Sequence, residues 1–426
     1  MTKKEVYWYT LHTPHITKLI SDEDVDVVIV GGGIAGLMCA QKLKEQSPSL
    51  SISLVEASFC GGGATGKSSG FITPDSELEL SDLVHNYGEQ EAVRIWEFAK
   101  SGVNSIKRTI EKYKIQCDFS EQDSLFIANS KKGFKKVEQE EKDQSKLGYE
   151  SMLYQKETVE KIIGSSSYEG AIRYKGTFGI IAYLYCQHLK QSLQKLGVNI
   201  YEETPVEQVT STGVKTAHNF ITAKNIVICT DRFLPDLHIA ETEVYHAQTF
   251  LAVSKPLSQE NVTRLFPDGP MMVWDTDLIY QYFRIVEGNR LLLGAASLLY
   301  TYARDEAKST DIILRKMKKY LMKKFPMLTV EFEYVWPGLI GVSKDFLPIA
   351  GKHADMENVC FAGAGAGLPW ACALGEYIAD KILKNRDDFD TVFAPNRKFP
   401  INRVEQAIIS KPLSFAVSHG IKKYLN

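Results

Sequence analysis

Three glycines and one acidic residue have the types and the spacing of a dinucleotide site. Gly31, Gly33 and Gly36 follow the apolar run VDVVIV and fit the pattern G-x-G-x-x-G. In this pattern the first glycine permits a tight turn, the second lets a pyrophosphate approach the backbone, and the third lets a helix pack closely on the preceding strand. Glu56 ends a second apolar run, SISLVE, about 20 residues after Gly36. Its carboxylate can accept hydrogen bonds from ribose hydroxyls and would repel a 2′-phosphate, so NADP is disfavoured, whereas FAD and NAD both stay open.

The elements that must position these residues are a buried strand from Val25 to Val30 and a helix that begins near Ile34. The first turn of a helix carries N–H groups without intrahelical partners and the positive end of the helix dipole. Both would face the pyrophosphate. A plain glycine-rich turn is the alternative, but strand, glycines, helix, second strand and terminal acid occur in the order that a dinucleotide site requires.

Length, charge and composition exclude several other classes of protein. The 426 residues predict two domains, and the net charge of −2 gives no strong attraction to nucleic acid or to a membrane surface. The sequence contains no run of about 18 apolar residues, so we expect no transmembrane helix. The seven cysteines lack a C-x-x-C pair and the nine histidines lack metal spacing, which predicts reduced thiols and no metal site. The N-terminal segment lacks the apolar core of a signal peptide, so we expect a cytoplasmic protein.

Two kinds of pattern alternate along the rest of the chain. A glycine-rich loop, CGGGATGKSSGF, spans residues 60–71, and an α/β pattern returns later. Alternating strands dominate residues 243–333, with a hairpin expected at Gly288-Asn289. The basic segment 315–324 predicts an amphipathic helix with a solvated face. The segment ENVCFAGAGAGLPWACALGEYIADKIL again predicts strand, glycine-rich turn and helix. The returning α/β pattern indicates one domain built from discontinuous pieces.

Five separated motifs occur in the order of a known family. YWYT precedes the dinucleotide motif, GGATGKSSG fits a second glycine loop, WDTDLIYQYFRIVEGNRLLLGAA and WPGLIGVSKDFLPIAG follow, and the last glycine turn and helix complete the series. On these motifs the chain resembles the D-amino-acid oxidase / glycine oxidase class of FAD-dependent oxidoreductases, and within it the gamma-glutamylputrescine oxidase branch.

The resemblance implies a fold that is α/β and α+β. It consists of a Rossmann-like FAD-binding domain assembled from discontinuous segments and a mainly antiparallel β-sheet substrate domain. We expect residues 22–90, 150–235 and 335–426 in the FAD-binding domain, and residues 91–149 and 236–334 in the substrate domain.

The resemblance also selects FAD over NAD and implies which residues bind it. The first glycine motif would hold the pyrophosphate and Glu56 the adenosine ribose. We expect non-covalent FAD, because Trp336–Gly341 contains no cysteine for attachment. The second loop would line the ribityl chain and ring, Val206 the adenine, Thr230 the pyrophosphate, and the last turn the pyrimidine end of the flavin. The implied cofactor residues are Gly31, Gly33, Ile34, Ala35, Gly36, Glu56, Gly63, Ala64, Thr65, Ser69, Gly70, Phe71, Val206, Thr230, Gly365, Gly367 and Leu368.

The chain departs from the family pattern at three places. Lys67 and Ser68 replace the usual Arg and Asn of the second loop. Asp231 and Arg232 stand where an Ala-Gly or Asn-Ala pair is commoner. The run AGAGAG, residues 362–367, has its first glycine out of the family register.

On the substrate side, Tyr282, Arg284 and Trp336 are the candidate catalytic residues. Alternate residues of a strand share a face, so Tyr280, Tyr282 and Arg284 would point the same way. A guanidinium beside two phenols could bind a substrate carboxylate, although an exposed strand face with a surface arginine has the same pattern. Trp336 could form an aromatic wall of the site or pack in the core. If Arg284 is not the carboxylate ligand, Lys67 is the next candidate.

The reaction that the resemblance implies is oxidation of an amine or amino-acid-like substrate. The substrate would lose a hydride to flavin N5 and give an imine that hydrolyses, which needs little acid–base machinery. The partners would be a small-molecule amine and oxygen or another electron acceptor, with no nucleic acid. Two alternatives stay open: an FAD dehydrogenase of a hydroxyl substrate, of the glycerol-3-phosphate type, and a flavoprotein with an accessory binding role.

Overall fold

Two large β-sheets form the framework of the protein. A computed structural model describes residues 2–75, 77–277, 280–296, 306, 310–365, 367–401 and 403–409. Each large sheet has eight strands, and a small third sheet has three strands that come from distant parts of the chain. The small sheet contains β3 (Phe71–Ile72), β4 (Ser120–Glu121) and β8 (Phe178–Gly179).

The first sheet has a parallel centre. Its order is β10-β11-β12-β1-β2-β9, with β19 also paired to β12 and β18 paired to β19. The pairs β12-β1, β1-β2, β2-β9 and β12-β19 are parallel. In β1 every residue from Val27 to Val30 is buried, as expected for a parallel strand covered on both faces. Its strands are β1 (Glu23–Val30), β2 (Ile52–Val55), β9 (Val198–Tyr201), β10 (Val206–Thr210), β11 (Gly213–Thr216), β12 (Phe220–Ile228), β18 (Ile349–Lys352) and β19 (Val359–Gly363).

The second sheet is antiparallel apart from the β14-β5 pair, which is parallel. Its order is β17-β13-β16-β15-β14-β5-β7-β6. The mainly antiparallel arrangement confirms the expectation from the alternating segments. Its strands are β5 (Ser124–Ala128), β6 (Ser151–Gln155), β7 (Gly170–Tyr174), β13 (Val244–Pro256), β14 (Met272–Asp275), β15 (Gln281–Val286), β16 (Arg290–Ala296) and β17 (Phe332–Ser343).

Helices cover both sheets. The N-terminal parts of α1 and α10 pack together so closely that a Cβ atom at Gly375 would lie 2.1 Å from the carbonyl oxygen of Ala35. In α9, Ile313, Met317 and Leu321 are buried, which confirms the amphipathic helix expected for the basic segment. The helices are α1 (Ile34–Gln46), α2 (Ala64–Lys67), α3 (Leu80–Tyr87), α4 (Glu89–Tyr113), α5 (Lys131–Lys146), α6 (Lys156–Ile162), α7 (Ala182–Lys195), α8 (Gln259–Leu265), α9 (Asp311–Lys324), α10 (Leu368–Lys384) and α11 (Arg403–Ile409), with 3₁₀ segments at Tyr7–Thr10, Asp231–Leu237 and Glu287–Asn289.

Sheet membership differs from the expected division into domains at two places. Strands β6 and β7 belong to the second sheet, although we expected residues 150–235 with the first. Strand β17 also pairs with β13 of the second sheet along most of its length, although residues 335–343 were expected in the cofactor domain. Sheet membership alone does not define domains, so the domain boundaries stay a prediction. Within the part of the chain that the structure describes, no helix is both long and apolar enough to cross a membrane.

Candidate functional site

A cavity of about 540 Å³ lies where the carboxyl ends of β1, β2, β12 and β19 meet β17 of the second sheet. Ligands of open α/β sheets bind outside the carboxyl ends of parallel strands, and this volume lies within the range of ligand pockets. Of the cofactor residues expected from the sequence, those that line the cavity are Gly31, Gly33, Ile34, Ala35, Glu56, Gly63, Ala64, Thr65, Val206, Thr230, Gly365, Gly367 and Leu368.

The first glycine turn is built as the sequence predicts. Gly31 has φ 110°, and a Cβ atom there would lie 2.3 Å from the carbonyl oxygen of Cys229, so only glycine fits. Helix α1 begins at Ile34, with Gly33 before it. Gly36 is not part of the cavity wall; a Cβ atom there would lie 2.0 Å from the oxygen of Gly31. Its role is therefore to let α1 approach the turn.

Glu56 follows β2 directly and lies beside this turn. Its Oε2 accepts a hydrogen bond from the backbone N–H of Gly32 (2.7 Å), and its Oε1 accepts one from the N–H of Ser58 (2.9 Å). These two contacts fix the carboxylate at the cavity wall. Burial raises the pKa of Glu56 above its usual range, and the N–H contacts act in the opposite direction.

The second glycine loop is held by three buried side chains from distant parts of the chain. The indole N–H of Trp336 donates to the carbonyl oxygen of Lys67 (3.1 Å), and the indole N–H of Trp8 donates to that of Ser68 (3.0 Å). The Nε of Arg284 donates to the carbonyl oxygen of Ser69 (2.9 Å). Three consecutive carbonyls thus accept hydrogen bonds from side chains outside the cavity wall, and we call these donors the carbonyl clamp.

The carbonyl clamp revises the expected positions of the candidate catalytic residues. Arg284 is 0% exposed and its Nη2 donates to Ile180 (2.7 Å), so it is not the surface-accessible group that strand alternation suggested. Burial lowers the pKa of its guanidinium to about 10. Trp336 is equally buried and packs edge-on against Trp8, at 5.6 Å between ring centroids. None of Tyr282, Arg284 and Trp336 is part of the cavity wall, so their contact with substrate stays a prediction.

Tyr282 is half-buried and packs edge-on against Phe71, at 5.8 Å between ring centroids. Among the second-loop residues expected to bind the cofactor, Ser69, Gly70 and Phe71 lie outside the cavity wall. They form the side of the loop that faces the second sheet, because Arg284 and Tyr282 both come from β15.

A third glycine turn closes the cavity between β19 and α10. Gly367 precedes the helix with φ 105°, and Leu368 is the first helical residue. Gly365 and Gly367 line the cavity with Leu368. Ala366, within the run AGAGAG, lies outside the described residues. Two helix N-termini, those of α1 and α10, therefore face the same cavity, as the two glycine-rich segments predicted.

Two hydroxyl groups at the cavity are buried without a hydrogen-bond partner among the described residues. They belong to Thr230 and Ser68. Unsatisfied buried polar groups are costly, so such groups at a cavity wall indicate a ligand with polar atoms. Within the part of the chain described, no group of three or more His, Cys, Asp or Glu side chains is arranged to hold a metal ion.

Sequence reasoning did not assign several residues of the cavity wall. The sequence marked Asp231 only as a departure from the family pattern. In the WPGLIG motif, it indicated a site role only for Trp336. The structure instead brings the end of β17, an edge strand of the second sheet that pairs with β13, to the cavity. The main unassigned members of the wall are Ser58, Thr204, Glu207, Asp231, Arg232, Phe233, Glu306, Leu339, Ile340 and Gly341, whereas Lys67, the alternative carboxylate ligand expected from the sequence, does line the cavity.

Comparison with known proteins identifies the family of the chain. A family model described as FAD dependent oxidoreductase (DAO) matches residues 26–381. The chain belongs to the DAO family of FAD-dependent oxidoreductases. This result confirms the family, the enzyme class and the FAD cofactor expected from the sequence.

Individual relatives of this DAO-family enzyme match over most of their length. It is 26% identical to the probable oxidoreductase OrdL of Haemophilus influenzae over 381 residues, which covers 87% of this chain and 85% of that protein. It is 26% identical to gamma-glutamylputrescine oxidoreductase of Escherichia coli over 389 residues, covering 89% and 88%. Its fold is similar to that of glycine oxidase from Geobacillus kaustophilus, with a TM-score of 0.76 at 18% identity, covering 88% of this chain and 100% of that one.

Proposed function

We propose that this DAO-family enzyme oxidises an amine or an amino-acid-like substrate. The observation that carries the proposal is one cavity that joins three glycine turns to the end of a strand from the second sheet. Two similar proteins, gamma-glutamylputrescine oxidoreductase and glycine oxidase, support an amine as the substrate class. Bound FAD would accept at N5 the hydride that leaves the α-carbon of the neutral amine, and the imine product would hydrolyse.

The described residues fit an elongated dinucleotide with charged and polar groups. The N-terminus of α1, with Gly31 and Gly33 in the cavity wall, would face the pyrophosphate. Glu56 keeps free lone pairs for the ribose, because its two backbone contacts use one on each oxygen. The unpartnered hydroxyl of Thr230 would donate to a phosphate oxygen. The third glycine turn would bring N–H groups to the pyrimidine end of the flavin, where fixed donors favour the anionic reduced ring.

Lys67 is the better candidate than Arg284 for a cation that binds a substrate carboxylate. Lys67 lines the cavity, its side chain is 18% exposed, and its Nζ lies 2.5 Å from Oε1 of Glu306. A substrate carboxylate would replace that of Glu306 at this ammonium. In contrast, Arg284 lies outside the cavity wall and its Nε and Nη2 donate to two backbone carbonyls, although its buried Nη1 has no partner among the described residues.

The cofactor claim has a direct test. The purified protein should be yellow, and acid precipitation should release intact FAD into the supernatant. Flavin that stays with the precipitated polypeptide would contradict the non-covalent attachment.

A substrate panel tests the reaction. Anaerobic addition of amines should bleach the flavin absorbance, whereas matched hydroxy acids should not. Bleaching by hydroxyl substrates alone would favour the alternative function, an FAD dehydrogenase of the glycerol-3-phosphate type. The phosphate of such a substrate would need a cluster of basic groups in the cavity. The cations that line the cavity among the described residues are Lys67 and Arg232. Bleaching by neither class would favour an accessory binding role.

A variant of Lys67 tests substrate binding. Lys67→Met should raise the KM for a carboxylate-bearing amine by roughly 10- to 150-fold, because hydrogen bonds to charged groups contribute about 1.5–3 kcal/mol. The matched control is an amine without a carboxylate, for which KM should change little. An unchanged KM for both amines would eliminate Lys67 as the ligand.

A further inference from the structure

Asp231 has an unusual position at the cavity wall. It is the first residue of the 3₁₀ segment that follows β12, and its φ is 49°, in the left-handed region. Aspartate and asparagine tolerate this region better than other non-glycine residues, yet glycine adopts it more readily. A residue kept there against the backbone preference indicates that its side chain has a use.

The side chain of Asp231 joins the two large sheets. Its Oδ2 accepts a hydrogen bond from the backbone N–H of Gly341 on β17, at 2.9 Å. Its Oδ1 accepts one from the backbone N–H of Ala364, in the third glycine turn, at 3.1 Å. Gly341 belongs to the second sheet, and the turn follows β19 of the first. One carboxylate therefore holds a strand of one sheet and the cofactor turn of the other.

Both partner segments pack closely against Asp231, one against its side chain and the other against its backbone. A Cβ atom at Gly341 would lie 2.7 Å from Oδ1 of Asp231, and a Cβ atom at Gly363 would lie 3.1 Å from the Cα of Asp231. Two of the departures from the family pattern, at Asp231 and in the AGAGAG run, are thus in direct contact. The altered register of the turn presents the N–H of Ala364, and the aspartate accepts it.

We propose that Asp231 is a positioning residue for the cofactor, which fixes the third glycine turn against β17 and so sets the shape of the flavin end of the cavity. The inference rests on FAD binding, which family membership shows, and is independent of the proposed amine substrate. Asp231 acts through the turn, because its two carboxylate oxygens are directed at backbone N–H groups.

The ionised form of Asp231 suits this role. Burial raises its pKa above the usual range, whereas the N–H groups of Gly341, Arg232 and Ala364 and the charge of Arg232 oppose the increase. These donors offset the negative charge of Asp231. When the carboxylate is removed, we therefore expect FAD binding to lose more from the two missing hydrogen bonds than it gains from weaker repulsion of the pyrophosphate.

Two variants separate positioning from folding. Asp231→Gly removes the carboxylate and relaxes the backbone, so the relief of backbone strain offsets part of the stability lost with the two hydrogen bonds, and the melting temperature of the apoprotein should fall only slightly. Asp231→Asn keeps one acceptor oxygen and should be intermediate. In Asp231→Gly the dissociation constant for FAD should rise about 10-fold or more, because charge-assisted hydrogen bonds that fix the turn are lost. The visible circular dichroism of bound flavin at saturating FAD should also change, since it reports how the ring is held.

The control is Asp355→Asn, which removes an exposed carboxylate between β18 and β19, outside the cavity wall. Because Asp231 occupies the N–H groups of Gly341 and Ala364, this control should leave the circular dichroism of the flavin unchanged. Equal FAD affinity and an equal spectrum in Asp231→Gly and the parent protein would overturn the proposal. Tighter FAD binding in that variant would overturn it too, since the carboxylate would then act only as a repulsive charge. Weaker binding explained by a less stable apoprotein, with an unchanged flavin spectrum, would assign Asp231 a role in folding alone.

Discussion

At the scale of single residues, the role of a carboxylate at the cavity depends on which backbone N–H groups it contacts. Glu56 and Asp231 both accept backbone N–H groups at the same cavity. Glu56 contacts the first glycine turn at Gly32 and its own following loop at Ser58, both at the cofactor edge of the first sheet, whereas Asp231 contacts two segments more than 100 residues further along the chain. The first contact orients a side chain toward a ligand, and the second ties two parts of the wall together.

Replacing Glu56 tests its role as the ribose ligand. Glu56→Arg should abolish FAD retention through purification, because a cation replaces the acceptor and also loses the N–H of Gly32. Glu56→Gln, with the same shape and one remaining acceptor, should raise the dissociation constant about 10-fold, a change of about 1.4 kcal/mol. The flavin-to-protein absorbance ratio measures both effects. Near-normal flavin content in Glu56→Arg would show that the ribose lies elsewhere.

At the scale of elements, local signals in the sequence were sufficient where the structure is local. The first glycine motif predicted a turn and a helix start, and α1 begins at Ile34. The dipeptide Gly288-Asn289 predicted a hairpin, and both residues have positive φ between β15 and β16. In each case the residues that determine the conformation are neighbours in the chain, so spacing alone carries the information.

Long-range packing explains what the sequence did not reveal. Alternation placed Tyr282 and Arg284 on one face of β15, but it could not show that the second glycine loop covers that face. The pairing of β6 and β7 with the second sheet depends on β5, which lies outside the segment that contains them. The cavity wall formed by β17 likewise depends on its pairing with β13. These features follow from contacts between distant segments, and no local pattern encodes them.

The packing of α1 against α10 yields a prediction at this scale. Gly375→Ala would place a Cβ atom 2.1 Å from the carbonyl oxygen of Ala35, so the two helices must separate. We expect a loss of about 1–3 kcal/mol in the free energy of unfolding, together with weaker FAD binding, because both N-termini border the cavity. Thermal unfolding with and without FAD measures both. Gly176→Asn is the control, since Gly176 has φ 72° and no atom within 4 Å of the added Cβ. Equal stability of the two variants would contradict the close contact.

At the scale of the whole molecule, a group of buried acids makes stability depend on pH. Asp75 lies near Glu77, Glu79 and Glu140, and burial raises its pKa from 3.8 to about 7. Burial likewise raises the pKa of Glu79 and Glu140. The folded protein therefore binds protons that the unfolded chain releases between about pH 4 and 7, so stability falls as the pH rises through this window and then levels off.

Removing one of these acids should change the pH profile. Asp75→Asn should raise the melting temperature at pH 8 and flatten its decline between pH 4 and 7, because the amide needs no proton to stay neutral. Melting curves across this range measure the effect. The control is Asp387→Asn at an exposed site, whose profile should follow that of the parent protein. A profile of Asp75→Asn parallel to the parent would show that Asp75 does not hold the proton.

The carbonyl clamp has a consequence for how the molecule is made. Its donors come from residues 8, 284 and 336, so the second glycine loop depends on contacts spread over most of the chain. Non-local contacts form late in folding, because long loops must close before they contribute. During synthesis the loop cannot reach its final conformation until β17 has left the ribosome, although the first glycine turn can form much earlier. We therefore expect the growing polypeptide to acquire its flavin only near the end of translation.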